Sequence, residues 1–214
     1  MEFDCHFCDG LFKLNEAIGI ASYDSIIYED ENVFIMPDLD PVVKGHFLIV
    51  TKKHLSSSGS ANNSTFASLV KAKEHMKNCV FEGERILFFE HGAVIKKMAG
   101  TCIDHAHIHV IPFPSAINID AYISVFVPSE KSMADMDSLV KCANENQPYI
   151  YYEVTGDTPW YYPVNWLPHQ FFRMMVCNHF SVTNFRWRER YGTPESINSF
   201  NRTLQIGKRN NRVL

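Results

Sequence analysis

The feature that most constrains this chain is the segment from His105 to His109, which reads His-Ala-His-Ile-His. Residues two apart on a β-strand project from the same face, so a strand here would align three imidazoles along one side. A helix would scatter the same side chains around its axis. The β-branched residues Ile108, Val110 and Ile111 favour the strand. The segment therefore predicts a strand that carries its histidines on one face.

Two kinds of chemistry fit such a histidine face. A neutral imidazole is a competent nucleophile towards phosphorus near neutral pH, and a neighbouring imidazole can donate a hydrogen bond to a non-bridging phosphate oxygen. Adjacent rings also disfavour simultaneous protonation, which lowers their pKa values towards the neutral form. Alternatively, two histidines at this spacing are a common pair of metal ligands. A metal centre needs further ligands, and Asp104 would point to the opposite face of the strand.

Charge and hydropathy exclude several classes of protein. The formal net charge of −4 argues against binding long nucleic acid, which requires clustered lysines and arginines. No stretch is apolar enough to span a bilayer, so we expect no membrane association. The N-terminal residues are acidic and contain cysteines where a secretory signal would need a basic and then an apolar segment, so we expect a cytoplasmic protein with reduced thiols.

Hydrophobic patterning predicts an α+β organisation in the first half of the chain. Apolar residues at three- and four-residue intervals predict a helix over 65–80, capped by Ser64 or Thr65. The preceding residues, 51–64, are rich in serine and asparagine and predict a surface loop. Strands are predicted within 26–36 (two strands around an acidic turn), 45–50, 85–90 and 103–112.

The second half has a different composition but no flexible linker before it. We therefore divide the chain into residues 1–114 and an extension, 115–214, that folds against the first part and is not an independent domain. Its aromatic residues are interpreted either as core or as a cap over a ligand, with Gln170 and Arg173 one helical turn apart and able to reach a phosphate. Strands are predicted at 117–127 and 149–155, helices at 131–145, 168–180 and 195–206, and a loop at 156–168.

The segment from His105 to Ile111 resembles the signature of the histidine triad superfamily, in which three histidines alternate with apolar residues. Residues 33–38 and 45–54 resemble the strand pair that precedes the triad in that family, so the resemblance covers about 3–113. It implies an α+β fold with an antiparallel sheet of about five strands and one long helix. It also implies cleavage or transfer of a nucleoside monophosphate from a phosphoramidate, dinucleoside polyphosphate or nucleotide sugar through a nucleotidyl-histidine intermediate.

The resemblance also assigns roles to particular residues. The nucleophile corresponds to His107, the phosphate-binding histidine to His109, and a further phosphate-site histidine to His46. The acidic residue that receives the ribose hydroxyls corresponds to Asp38. The residues that would wall the base are apolar and lie near Asp38: Phe34, Met36 and Leu39.

The chain departs from the small members of the family just before the triad. Glu90 stands where they usually have asparagine, and because its charge would repel a phosphate we expect it to bind ribose or to orient a histidine. Thr101 and Cys102 replace a Gly-Gln-Ser type of turn, and they are candidates to supply backbone amides or a hydroxyl to the substrate. His91 is a candidate additional general acid.

A separate pattern concerns a metal. Cys5 and Cys8 have the two-residue spacing at which two thiolates bind one zinc ion, although free thiols or a redox pair are alternatives. In some triad proteins and their uridylyltransferase relatives, the positions of His54 and His105 complete this site. The resemblance thus implies a structural zinc, because four protein ligands leave no position open for substrate.

The leading hypothesis is therefore a hydrolase or nucleotidyltransferase acting on a nucleotide conjugate. A non-catalytic nucleotide-binding or scaffold protein and a metal-dependent hydrolase that uses the histidines as ligands remain open. Homodimerisation is implied by the resemblance alone.

Overall fold

The structure is a computed structural model that describes residues 5, 7–8, 22–94, 99–101, 103–113 and 117–210. Eight strands are seen in these residues: β1 (Tyr28–Glu29), β2 (Val33–Pro37), β3 (Phe47–Thr51), β4 (Ile86–Gly92), β5 (His107–Pro112), β6 (Ser132–Met133), β7 (Tyr149–Val154) and β8 (Trp160–Pro163). The helices are α1 (Asn63–His75), continued by a π-helical turn (Met76–Val80), α2 (Ile119–Ser124), α3 (Met136–Asn144), α4 (Phe171–His179), α5 (Trp187–Arg190) and α6 (Pro194–Asn210).

All the strands belong to one antiparallel sheet in the order β1-β2-β3-β5-β4-β7-β8-β6. The predicted α+β class is confirmed. The sheet is wider than the five or so strands expected, because β7 of the second half pairs with β4 along its whole length, from Leu87 opposite Val154 to Gly92 opposite Tyr149. The extension thus continues the sheet of the first half. The boundary that we place at residue 114 lies outside the described residues.

The two faces of the sheet carry different side chains. In antiparallel pairs, directly opposed residues share a face. Phe89 opposes His109, and Val50 opposes His107, so these four residues mark what we call the histidine face. The other face carries Phe88 and Ile108, which alternate with them.

Helices cover both faces. On the histidine face, the ring of Phe172 in α4 lies 4.6 Å from that of Phe89. On the opposite face, the Lys73 ammonium of α1 lies 5.9 Å from the ring centre of Phe88. Helix α6 returns to the first half, where the Gly45 amide donates to Thr203 Oγ1 over 3.1 Å.

The long helix after residue 60 is confirmed, but its cap is Asn62, whose side chain accepts from the Thr65 amide, in place of Ser64 or Thr65. The predicted surface loop before it is partly wrong, since Ser57 and Ser58 are buried. They lead into a short 3₁₀ turn, Ser58–Ser60, and an added Cβ at Gly59 would come within 2.2 Å of the Leu139 carbonyl oxygen of α3.

The extension differs most from the prediction. Residues 119–124 form helix α2 and not a strand, because Ile119 and Ile123 lie one helical turn apart and both are buried, with Asn118 as the cap. The predicted loop 156–168 contains β8, and the predicted helix 131–145 begins only at Met136, after β6. Among the described residues, no helix combines the length and apolar character that crossing a bilayer requires.

Candidate functional site

His107 and His109 lie at the start of β5 and project from the histidine face. Strand β5 begins at His107, so the predicted strand is too long and His105 precedes it. His105 turns away from the other two, towards Thr51 and the N-terminal cysteines. The structure therefore separates the three histidines into a pair and a single residue.

The ring of His107 is held in one tautomer. Its Nδ1 lies 2.6 Å from the carbonyl oxygen of His105, and a carbonyl oxygen only accepts hydrogen bonds. Nδ1 therefore carries the proton, and Nε2 keeps its lone pair. His107 is buried and lines the pocket above the strand, and its burial lowers its pKa.

His46 and His109 form a directed chain of hydrogen bonds. The Val42 amide donates to His46 Nδ1 over 3.3 Å, so His46 Nε2 carries a proton and donates it to His109 Nδ1 over 2.9 Å. His109 Nε2 must then be protonated. Burial lowers the pKa of His46 to about 4 and that of His109 well below its ordinary value, so both rings are neutral near pH 7. The ring of His109 also stacks on Phe89 with centroids 4.4 Å apart.

Asp38 lies beside this pair. Its Oδ1 accepts from the Asp40 amide and from Arg173 Nη1 at 3.0 Å, while Oδ2 is 3.5 Å from His46 Nε2 and 3.7 Å from His109 Nδ1. Burial opposes its ionisation, but His46 and Arg173 outweigh burial and lower the pKa of Asp38 below its usual value. The carboxylate therefore stays charged inside the protein.

Arg173, in α4, connects the extension to this site. It is 3% exposed, and its guanidinium donates to Asp38, to Asp40 and to the Phe185 carbonyl oxygen. Arg190 adds a second cation, with Nε 3.3 Å from Asp40 Oδ1. Asp40 and Arg190 are residues that the sequence did not single out, although the second acid of the Pro-Asp-Leu-Asp-Pro segment was an available signal.

Both halves of the chain line the pocket at the histidines. Gln170, in the left-handed conformation at φ 62°, precedes α4, and its Oε1 accepts from the Trp187 amide over 3.3 Å. Trp187, one of the aromatic residues of the extension, lines the pocket as well, although nothing local in the sequence places α5 beside the triad. The lining residues are Asp38, Leu39, Leu48, His91, Gly100, Ile103, His107, His109, Gln170, Arg173 and Trp187.

Of the three apolar residues expected to wall a base, Leu39 lines the pocket. Phe34 and Met36 oppose Val50 and Leu48 in the sheet, so they share the histidine face. Both side chains are buried on that face, away from the pocket, and neither forms part of the pocket wall.

Glu90 requires a correction. It alternates with Phe89 and therefore points to the face opposite the histidines, where Oε1 accepts from the Ser58 amide at 2.7 Å and Oε2 from the Tyr149 hydroxyl at 3.1 Å. Among the described residues, it contacts no histidine, and it does not line the pocket of the triad. Alternation places Phe89 and Glu90 on opposite faces, but sheet register decides which of them joins the histidines, and the sequence did not reveal that register.

The loop before the triad packs against the extension. Gly100, at φ +76°, accepts from the Gln170 amide over 2.7 Å, and an added Cβ would lie 2.5 Å from the Pro168 carbonyl oxygen. The Thr101 hydroxyl donates a hydrogen bond to the Ile103 carbonyl oxygen, and Thr101 is not part of the pocket wall. Cys102 lies outside the described residues.

His91 lines the pocket as a neutral acceptor. Its Nε2 receives the Phe172 amide at 3.4 Å, and burial lowers its pKa to about 3. A ring with that pKa is almost never cationic near pH 7, so as a proton donor it offers only a neutral Nδ1–H.

A second cluster lies behind the start of β5. The Sγ atoms of Cys5 and Cys8 and ring nitrogens of His54 and His105 all lie within 4.8 Å of one another. His105 Nε2 is 2.7 Å from the Thr51 carbonyl oxygen, to which it must donate, and its unprotonated Nδ1 then faces Cys5 Sγ at 3.3 Å. This donor set fits a tetrahedral zinc, for which an oriented histidine with its second nitrogen hydrogen-bonded is typical.

Comparisons with known proteins identify the family to which the chain belongs. The HIT domain pattern matches residues 21–115. An uncharacterised HIT-like protein of Methanocaldococcus jannaschii is 33% identical over 91 residues, which cover 41% of this chain and 67% of that protein. One of Borreliella burgdorferi is 28% identical over 115 residues, covering 51% and 76%. Among solved structures, yeast Ap4A phosphorylase in complex with AMP matches with a TM-score of 0.46 at 16% identity, over 72% of this chain and 64% of that one. The chain belongs to the HIT (histidine triad) family.

Proposed function

We propose that this chain cleaves a nucleoside monophosphate from a nucleotide conjugate, such as a dinucleoside polyphosphate, phosphoramidate or nucleotide sugar, and passes it to water or another small acceptor. The observation that carries the proposal is the tautomer of His107. Because Nδ1–H donates to the His105 carbonyl oxygen, the Nε2 lone pair is available in the pocket without prior loss of a proton.

In the proposed first step, the Nε2 lone pair of His107 attacks the phosphorus of the nucleotidyl group. A P–N bond forms as the bond from phosphorus to the leaving group breaks, and the leaving group departs with that electron pair. The ring then carries a positive charge, which the carbonyl oxygen of His105 stabilises through its hydrogen bond to Nδ1. Attack by the acceptor oxygen on phosphorus, with loss of its proton to solvent, forms the new P–O bond, breaks the P–N bond and restores the neutral ring.

The neighbouring residues support binding of the phosphate. His109 presents Nε2–H, because its Nδ1 accepts from His46, and this donor suits a non-bridging oxygen. Asp38 retains Oδ2 as an acceptor for a ribose hydroxyl, since Oδ1 is bound by Arg173. Leu39 and Trp187 provide apolar surface for a base.

We further propose that Cys5, Cys8, His54 and His105 hold a structural zinc ion. Zinc would join the N-terminal residues and the loop after β3 to the start of the strand that carries His107. The short distances between their donor atoms support this assignment.

The proposed mechanism is tested by incubating the chain with adenylyl, guanylyl and uridylyl conjugates and measuring its intact mass. We expect an increase equal to one nucleotidyl group, which is a nucleoside monophosphate less one water, lost in the His107→Ala variant and kept in His179→Ala, a variant of an exposed histidine on α4. Full turnover by His107→Ala would refute covalent catalysis. Binding without any adduct or turnover would favour the non-catalytic alternative.

A metal-dependent hydrolase is the second candidate, because ligand atoms of Asp38, His46 and His109 also lie within 4.8 Å of one another. Two observations weigh against it. His46 Nε2 and His109 Nδ1 are 2.9 Å apart, as in a hydrogen bond between them, so neither nitrogen is turned to a metal. Asp38 is already paired with Arg173. Turnover that requires an added divalent metal and gives no adduct would support this candidate.

A further inference from the structure

A second cavity lies on the face of the sheet opposite the histidines, between α1 and α3. Its volume is about 260 Å³, just below the usual range for small-molecule sites, so it suits a small ligand. It exists because the extension places α3 beside α1, so both halves of the chain contribute. Its lining residues are Ser58, Phe66, Leu69, Val70, Lys73, Glu90, Ile108, Ala134, Asp135, Met136, Leu139, Tyr151 and Pro159.

Glu90 is a buried acidic group in the wall of this cavity. The side chain is 1% exposed and accepts from the Ser58 amide and the Tyr149 hydroxyl. Among the described residues, no ion pair includes Glu90. A buried carboxylate without a cationic partner is costly, and each of its oxygens still has a lone pair to offer.

Ser58 adds a second unused polar group beside Glu90. Its Oγ is buried beside the Glu90 carboxylate, whose pKa the hydroxyl helps to lower, and makes no hydrogen bond of standard geometry to any described residue. In the wall of a cavity, the lone pairs of this oxygen can accept from a donor on a ligand. Glu90 and Ser58 together present acceptors at one point of an otherwise mostly apolar wall.

The other charged residues in the wall of this cavity, Lys73 and Asp135, also favour a cationic ligand. Lys73 reaches the cavity, but its ammonium is already bound by Glu153 and the Tyr151 hydroxyl. At the mouth, the exposed Asp135 adds a negative charge. Phosphate-bearing ligands of the triad pocket would be repelled here, so the two pockets suit different chemistry.

We propose that this cavity binds a small organic amine whose ammonium group donates to Glu90 and Ser58 Oγ and whose hydrocarbon body packs on Phe66, Leu69 and Leu139. An ammonium supplies donors for both unused acceptors and compensates the buried charge. Because the wall of the cavity is mostly apolar, we expect the hydrocarbon body of the amine to be aromatic or branched aliphatic.

The test is calorimetric titration of the full chain with phenethylamine, with 2-phenylethanol as the neutral analogue and 3-phenylpropionate as the acid. We expect the amine to bind about tenfold or more tightly than the alcohol, as one charge-assisted hydrogen bond implies, and the acid not to bind. Equal affinity for the three probes, or no binding of any, would overturn the proposal.

Variants locate the binding site. Glu90→Gln should make the amine and the alcohol bind equally, whereas Glu145→Gln, at an exposed glutamate after α3, should leave the preference intact. Persistence of the amine preference in Glu90→Gln would also refute the proposal. Ala134→Trp introduces a large side chain into the wall of the cavity and should abolish binding of both probes, so retained binding would contradict the assigned site. Thermal unfolding of each variant establishes that it is folded before titration.

Discussion

Arg173 Nη1 lies 3.0 Å from Asp38 Oδ1, and the two residues are 135 positions apart in the chain. One belongs to the triad half and the other to the extension, and both are buried. Because Asp38 Oδ2 faces His46 and His109, the guanidinium of the extension fixes the carboxylate next to the proposed phosphate site. The extension therefore contributes residues to the candidate site.

Replacing Arg173 by alanine should destabilise the protein by about 3–5 kcal/mol, because Asp38 and Asp40 would lose the guanidinium bound to both of them. Urea unfolding measures this change. Arg186→Ala is the control, since its ion pair with Glu189 is exposed and should contribute less than about 1 kcal/mol. Equal effects of the two substitutions would show that the buried pair has no special role.

Gly100→Ala and Gly83→Ala form a matched pair. Both glycines have left-handed φ, +76° at Gly100 and +75° at Gly83, so backbone strain from alanine should destabilise the protein by about 1–2 kcal/mol at either site. Only at Gly100 does the added Cβ meet a backbone atom, the Pro168 carbonyl oxygen. We expect Gly100→Ala to lower the melting temperature more, because the loop before the triad must move off the extension. A larger effect at Gly83 would contradict this contact.

The zinc assignment predicts about one tightly held zinc ion per chain by elemental analysis. Cys8→Ser should reduce this content and lower the melting temperature, and a chelator should reproduce the loss in the unmodified chain. Cys79→Ser, at a cysteine outside the cluster, should retain the metal. Full zinc content in Cys8→Ser would exclude these ligands.

Glu90 should make stability depend on pH. Burial, only partly opposed by hydrogen bonds from Ser58 and Tyr149, raises the pKa of Glu90 to about 7 from 4.5. Between these values the folded state binds more protons than the unfolded state, so this residue's contribution to stability falls as pH rises from about 4.5 to 7, by up to about 3 kcal/mol.

Glu90→Gln cannot titrate, so the stability of the unmodified chain relative to this variant should decline over that pH range. Chemical denaturation at several pH values measures the difference. Glu145→Gln provides the baseline for an exposed carboxylate. A constant difference between the unmodified chain and Glu90→Gln across the range would show that Glu90 is ionised throughout.

The sequence by itself determined the features that depend on local spacing. The alternation of His107 and His109 with apolar residues required a strand with both imidazoles on one face, and the three- and four-residue spacing after residue 62 required a helix. Short apolar segments were ambiguous, and residues 119–124 became a helix because buried Ile119 and Ile123 stack at helical spacing.

Tertiary structure alone decided which distant residues meet. Local spacing shows that Phe89 and Glu90 lie on opposite faces, but only the pairing of Phe89 with His109 shows which of them joins the triad. In the same way, the sequence offered Arg173 as a cation on a helix, and only the pairing of β7 with β4 and the packing of α4 over the histidine face bring it to Asp38. Strand register and helix packing are set by contacts between residues far apart in the chain, so no local pattern encodes them.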